Sequence, residues 1–361
     1  MRNWSSHIQE RHTLIANLLN KTYGQGTAIL ASDIQKPTTI TTGLLSLDTI
    51  FGGGLPVGEW TEYRGAKSAG KSSLMHTAVA ANQKINPDFN TLWVASEKYD
   101  IGQATALGVD LSRVTVIPTK KMELAFQTII DAEDSGEVDL CVLDSYPALS
   151  PDEEIDKAMD ESTMSLGARN FGKFIRKIGA NTTSGKKMTG VIINQYRQAP
   201  GKWAPRGTPM TTPGGEAKDY FYYIILKLAR DEWIIEKRPG WKDGVTVGQT
   251  IKMTTEKNKA APPQQVATAD FYFRNAPVLG FKRGEFDIAL DYFTVASLFD
   301  IIQKKGGWYY YKDYKWQGKA SVLESLREDL DLREELSEQV LAASTIPELA
   351  DSLVSGEREE D

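Results

Sequence analysis

The run Gly65-Ala66-Lys67-Ser68-Ala69-Gly70-Lys71-Ser72 fits G-x-x-x-x-G-K-[ST] at every fixed position. It lies between a strand-like stretch, 59–65, and a helix-like one, 71–83, the context a phosphate loop requires. Glycines let the backbone curl so that its N–H groups face phosphate oxygens. Lys71 then supplies a point charge for the β- and γ-phosphates, and Ser72 a hydroxyl for Mg²⁺. The N-terminus of the following helix adds partial positive charge. The implied chemistry is hydrolysis of a nucleoside triphosphate, which needs two further groups. Asp144 ends the apolar strand VDLCVLD (138–144), where an acid can organise the metal. Glu97 follows TLWVAS (91–96) and is a candidate for orienting or deprotonating the attacking water. Gln195 closes TGVIINQ (189–195) and can reach a phosphate or a bound water. Three such strand ends belong at one sheet edge, where ligands of α/β proteins sit.

Those groups need a scaffold, and the apolar pattern supplies one. Strand-like runs at 59–65, 91–96, 114–118, 138–144 and 189–195 alternate with helical stretches near 71–83, 101–108, 121–136 and 164–179. This is the signature of a mostly parallel sheet covered by helices. Three further strands, 222–229, 246–257 and 267–273, come without intervening helices and are expected to extend the sheet in antiparallel fashion. Residues 5–20 read as an amphipathic helix with Ile8, Leu14, Ile15, Leu18 and Leu19 on one stripe. So short a helix must dock, either on its own core or on a neighbouring subunit. After about 280, helices at 287–304 and 319–342 flank GGWYYYKDYK, a short aromatic hairpin. The pattern divides the chain into 1–35, a core over 36–280, a small α/β domain over 281–345, and a charged tail over 346–361.

The chain has 361 residues, 41% of them hydrophobic, with a formal net charge of -6. That is enough apolar content for a large core and argues against global disorder. No apolar run approaches the ~20 residues of a membrane span. A single cysteine, Cys141, rules out an intrachain disulfide or a cysteine metal cluster. The acidic total hides a segregation: residues 324–361 carry 13 acids and 3 bases, net -10, which leaves +4 on residues 1–323. Segment 196–218 holds Arg197, Lys202, Arg206 and Lys218 against one acid, with Trp203 in its middle. A cationic loop with an aromatic can hold phosphates and wedge against bases without reading sequence. Arg169 and Arg176, seven apart on a helix, are further candidates for a DNA contact.

Taken in order, these landmarks resemble one family. They are YGQG, TGLLSLD-x₄-GGLPVGEWTEYRG, the phosphate loop, ALGVD, GEVDLCVLDSYPALSP, VIINQYR, TTPGG, EKNKAAP and GGWYYYKDYKWQGKA. Together, over about residues 5–343, they resemble the RecA-type recombinases of bacteria and their phages. The resemblance implies a RecA-like phosphate-loop ATPase core, an N-terminal polymerisation helix and a small α/β C-terminal domain. It implies ATP and Mg²⁺ as cofactors and a helical homo-oligomeric filament on single-stranded DNA. That filament pairs with homologous double-stranded DNA and exchanges strands, a DNA-dependent ATPase reaction in the cytoplasm, or the host cytoplasm for a phage protein. A single-stranded-DNA-binding protein or mediator is a further implied partner; a membrane is not.

Residue by residue, the resemblance makes Glu97 the catalytic glutamate, Asp144 the strand-end aspartate and Gln195 the γ-phosphate sensor. Gly65 to Ser73 and Asp100 become nucleotide contacts, with Ser72 and Asp144 on the metal. Lys257 and Lys259 become a pair reaching the ATP of the neighbouring subunit. The DNA-binding loops correspond to 152–164 and 196–213. Some positions depart from the family pattern. The family's adenine-stacking tyrosine aligns near Gly102 or Gln103, with Tyr99 as a substitute from a shifted register. Its interface lysine aligns with Asp219, beside Lys218, and Tyr220 takes the place of an interface phenylalanine. Two other classes share the core: a hexameric DNA helicase, and a RecA-like DNA-binding scaffold that does not recombine.

Overall fold

Runs such as LCVLD and VIIN are apolar on both sides, so their strands must be covered on both faces. The computed structural model describes residues 4–34, 36–155, 166–181, 187–198, 210–215 and 217–345. Among them, nine strands form one sheet. Its spatial order is Glu285–Phe286, Val266–Tyr272, Val245–Asn258, Ile224–Glu236, Trp60–Gly65, Thr189–Gln195, Leu140–Asp144, Thr91–Ala95, Val114–Pro118. The six from Ile224–Glu236 onward run parallel to one another. The remaining three are antiparallel additions at one edge.

One expectation is corrected here. The stretch read as 222–229 runs parallel to Trp60–Gly65, with Ile224 opposite Thr61 and Leu228 opposite Gly65. The chain returns to that edge through segment 196–218 and the short helix Ala217–Phe221, so a crossover exists where none was expected. The antiparallel pattern begins one strand later, in a long hairpin with Val245–Asn258.

Helices Lys71–Ile85, Ile101–Ala106, Met122–Ser135 and Leu166–Asn181 fall close to their expected places. Helix Leu45–Phe51 has no counterpart in the sequence reading, because all seven of its residues are buried. A helix covered on every side shows no apolar stripe. Its N-terminus is held from the far end of the chain: Asp291 accepts the backbone N–H of Leu45 at 2.7 Å and of Ser46 at 3.3 Å.

The C-terminal unit comprises Ile288–Leu298, an antiparallel sheet of Gln303–Lys305, Trp308–Tyr311 and Tyr314–Gln317, and two helices. The expected hairpin thus has a third strand. The expected single helix over 319–342 is Gly318–Glu328 and Leu330–Ser344. Asp329 breaks it with extended backbone, and its carboxylate caps the second helix at Leu332 N–H, 2.9 Å away. At the other end of the chain, helix Trp4–Tyr23 leaves Leu14, Ile15 and Leu18 at least half exposed. Among the described residues, none covers those three side chains fully.

Candidate nucleotide and DNA site

Strand register assembles the catalytic groups. Gly65, where the phosphate loop begins, pairs with Gln195 across two central parallel strands. Asp144 pairs with Ala95, which places Glu97 two residues beyond that pair. All three acceptors and donors therefore reach one sheet edge, as the sequence pattern implied. Gly70 opens helix Lys71–Ile85 at φ +91°, a left-handed backbone that favours glycine.

Lys71 is 6% exposed, and its ammonium donates to the carbonyls of Gly65 at 3.2 Å and Ala66 at 2.7 Å. Burial holds it below the usual lysine range, against the pull of Asp144 and Glu97. The Ser72 hydroxyl donates to Asp144 at 2.7 Å. Burial raises the Asp144 carboxyl above its ordinary value; the Ser72 bond opposes this, Glu97 adds to it, and Lys71 opposes it again. Glu97 accepts from the Ser145 hydroxyl at 3.1 Å and from the Gln195 amide at 3.3 Å. Ser96 and Ser145, which no motif singled out, exchange two bonds of 2.7 Å and fix the two strand ends to each other.

These residues line a cavity of about 520 Å³ that includes Lys67 to Ser73, Glu97, Asp144 and Gln195. A buried cation whose partners are neutral carbonyls suits a triphosphate tail. The hydroxyl and carboxylate pair of Ser72 and Asp144 suits Mg²⁺, a hard cation that takes oxygen ligands. Asp100 stands aside, capping helix Ile101–Ala106 by accepting Gln103 N–H at 3.0 Å. Tyr99 also stands aside: its ring packs edge-on to His76 and Trp93, each 5.3 Å away.

Gln195 leads directly into the second candidate DNA loop. Residues Arg197–Gln198 pair antiparallel with Met210–Thr211, closing the base of that loop. Arg197 is exposed and donates to Pro147 O at 2.9 Å. Arg169 and Arg176 are exposed on helix Leu166–Asn181. Lys202, Trp203 and Arg206 lie outside the described residues, as does most of the first loop beyond Ile155.

At the two described ends of the second loop is a charge cluster that sequence reasoning missed. Glu62 is fully buried and accepts from Asn194 at 2.7 Å, with Lys218 3.4 Å away. Arg64 grips Glu62 and Asp219 directly and Glu256 at 3.1 Å. Tyr196 donates to Glu256 at 3.3 Å, and Asn194 to Pro213 O at 3.0 Å. The cluster ties the strand before the phosphate loop to both ends of the DNA loop. A signal was present: Glu62 and Arg64, two apart, put both charges on one face of an otherwise apolar strand.

The neighbour-facing candidates lie away from the cavity. Lys257 donates to the carbonyls of Asp219 and Tyr220. Lys259 is exposed, its ammonium 5.5 Å from the Tyr223 ring centre, and Tyr220 is 84% exposed.

Comparison with known proteins agrees with this arrangement. The family model described as RecA N-terminal domain matches residues 12–276, and that described as RecA C-terminal domain matches 291–345. Protein RecA of Crocosphaera subtropica is 32% identical over 352 residues, covering 96% of this chain and 95% of the relative. Protein RecA of Trichodesmium erythraeum is 32% identical over 330 residues, covering 90% and 86%. Protein RecA of Streptococcus pneumoniae is 33% identical over 327 residues, covering 90% and 80%. With both domain matches in order and relatives aligned along nearly its whole length, the chain belongs to the RecA family of recombinases, which are DNA-dependent ATPases.

Proposed function

We propose that this recombinase assembles as a helical filament on single-stranded DNA and that the Glu97–Gln195 contact couples its nucleotide state to DNA. The single observation behind this reading is that 3.3 Å bond, at the junction of cavity and DNA loop. Glu97 is the general base, accepting the proton of the water that attacks the γ-phosphorus. Lys71 neutralises charge developing on the transferred phosphoryl group. The Ser72 hydroxyl and the Asp144 carboxylate would hold Mg²⁺, which would supply charge neutralisation at the phosphate oxygens. A γ-phosphate draws the Gln195 amide away from Glu97 and shifts the base of the DNA loop. The coupling is reciprocal: if ATP tightens DNA binding, DNA tightens ATP binding equally.

DNA contact falls to Arg197, Lys202, Trp203 and Arg206, with Arg169 and Arg176 on the adjoining helix. Lys257 and Lys259 act on the ATP of the neighbouring subunit, and Tyr220 belongs to that interface. Supporting this, both lysines lie outside their own cavity, and Leu14, Ile15 and Leu18 of helix Trp4–Tyr23 are exposed among the described residues. In this reading 1–35 is the polymerisation segment, 36–280 the ATPase core, 281–345 the small domain and 346–361 an acidic tail. The tail competes with DNA for cationic surface; the protein works in the cytoplasm, beside single-stranded-DNA-binding or mediator proteins.

A joint-molecule assay tests the function. Homologous duplex should give ATP-dependent product with coated single strands, and heterologous duplex none. Equal product from both, or unwinding of a fork instead, would contradict it. The trans lysines are tested by mixing Glu97→Gln with Lys259→Ala protein. Each alone should be nearly inactive, and the mixture should regain hydrolysis wherever an intact glutamate meets an intact lysine. A mixture no better than its parts would refute the trans role.

A further inference from the structure

The cavity has a place for phosphates and metal, but the residues expected to hold the base do not offer a ring to it. Tyr99 is packed edge-on against the stacked rings of His76 and Trp93 and does not line the cavity. Gln103 does line it, but has no ring, and its amide is committed to the Ser73 hydroxyl at 2.7 Å.

Aromatic surface enters instead from the antiparallel edge of the sheet. Trp233, Phe271 and Phe273 all line the same cavity as the phosphate loop. Register explains how. Trp233 stands opposite Gln249, and Gln249 opposite Phe271, so the three project from one face of adjacent strands. That face looks onto the phosphate loop, because the Gln249 amide donates to Ser68 O at 3.2 Å. Phe273, two residues after Phe271, lies edge-on to Trp233 with ring centres 6.1 Å apart.

The two ends of this row differ in burial. Phe271 is 4% exposed and belongs to the core, whereas Trp233 is 49% exposed. The Arg230 guanidinium lies 3.9 Å from the Trp233 ring centre and orients the indole. A large ring held in place and left half uncovered, beside a phosphate site, suits a flat heteroaromatic partner, since every base has a π face to stack.

We propose that Trp233, with Phe273 beside it, is the surface on which the base of the bound nucleotide stacks. The inference rests on the reading of the cavity as an ATP site and adds the residue that holds the base. Stacking of this kind is worth about three- to tenfold in affinity.

Calorimetric titration of the full chain with Mg–ATP and with Mg–tripolyphosphate, which has no base, tests it. Trp233→Ala should bind ATP about three- to tenfold more weakly than wild type and tripolyphosphate unchanged. Trp233→Phe should recover most of the ATP affinity. Undiminished ATP binding by Trp233→Ala would overturn the proposal. An equal loss for both ligands would overturn it too, since that marks a structural role. If wild type binds neither ligand, the ATP reading of the cavity fails, and this proposal with it.

Discussion

Two cations, seven residues apart in the chain, one buried and one largely so, are treated in opposite ways. Arg64 is surrounded by Glu62, Asp219 and Glu256, so its charge is cancelled within the protein. The Lys71 ammonium donates to carbonyl oxygens, and burial holds it below the usual lysine range against the pull of Asp144 and Glu97. Keeping a cation buried without a directly bonded carboxylate is costly unless a ligand supplies the charge. One site is closed on itself and joins elements; the other is incomplete until an anion arrives. Proximity in sequence does not decide which is which. The neighbours contributed by distant strands do.

Substitution should separate the two sharply. Lys71→Ala should abolish DNA-stimulated hydrolysis, by about 10²-fold or more, while leaving thermal stability near wild type. Retention of turnover in that variant would remove the cavity from the chemistry. Arg64→Ala should do the reverse in kind. It takes one of two cations from the buried Glu62, leaving Lys218 at 3.4 Å, and should cost up to about 3–5 kcal/mol of stability, read by denaturant unfolding. A loss under about 1 kcal/mol would class the cluster with exposed ion pairs, which contribute little.

A third buried charge site sharpens the contrast, with a smaller effect. Burial pushes Asp48 up to about 7 and Asp291 up to about 6; the hydrogen bonds each accepts oppose the rise, while repulsion from Asp291 on Asp48 and from Asp287 on Asp291 adds to it. Their folded values lie above those of the unfolded chain, so the folded protein binds more protons between about pH 4 and 7. Stability from this pair is therefore full at low pH and falls as pH rises through that window. Asp219 works in another range. Although burial opposes it, bonds from Lys218 and Arg64 hold it below its ordinary value, so its contribution is lost only at more acidic pH. Asp48→Asn should flatten the upper part of the slope in thermal midpoint against pH. An unchanged slope would show that Asp48 is not its source.

The same contrast explains what was legible in the sequence. Lys71, Ser72, Glu97, Asp144 and Gln195 were readable because each follows or ends an apolar run, and strand ends gather at one edge. The register pairs Gly65–Gln195 and Ala95–Asp144 realise that gathering. Asp219 and Glu256 were unreadable as partners of Arg64, because their proximity comes from a crossover and a long hairpin more than 150 residues downstream. Trp233 was hidden for the same reason, reaching the phosphate loop only through cross-strand pairing with Gln249. Helix Leu45–Phe51 was hidden by complete burial, and the parallel run of Ile224–Glu236 by a crossover whose sequence, 196–218, carries no apolar periodicity.

Gln195 stands between the two regions, bonded to Glu97 in the cavity and adjacent to Tyr196 of the charge cluster. The most direct test of the account measures affinity for single-stranded DNA with a slowly hydrolysed ATP analogue and with ADP, in wild type and Gln195→Ala. Wild type should bind DNA far more tightly with the analogue than with ADP. In Gln195→Ala that ratio should collapse towards one while nucleotide affinity persists. A variant that keeps the wild-type ratio would contradict the coupling through Gln195.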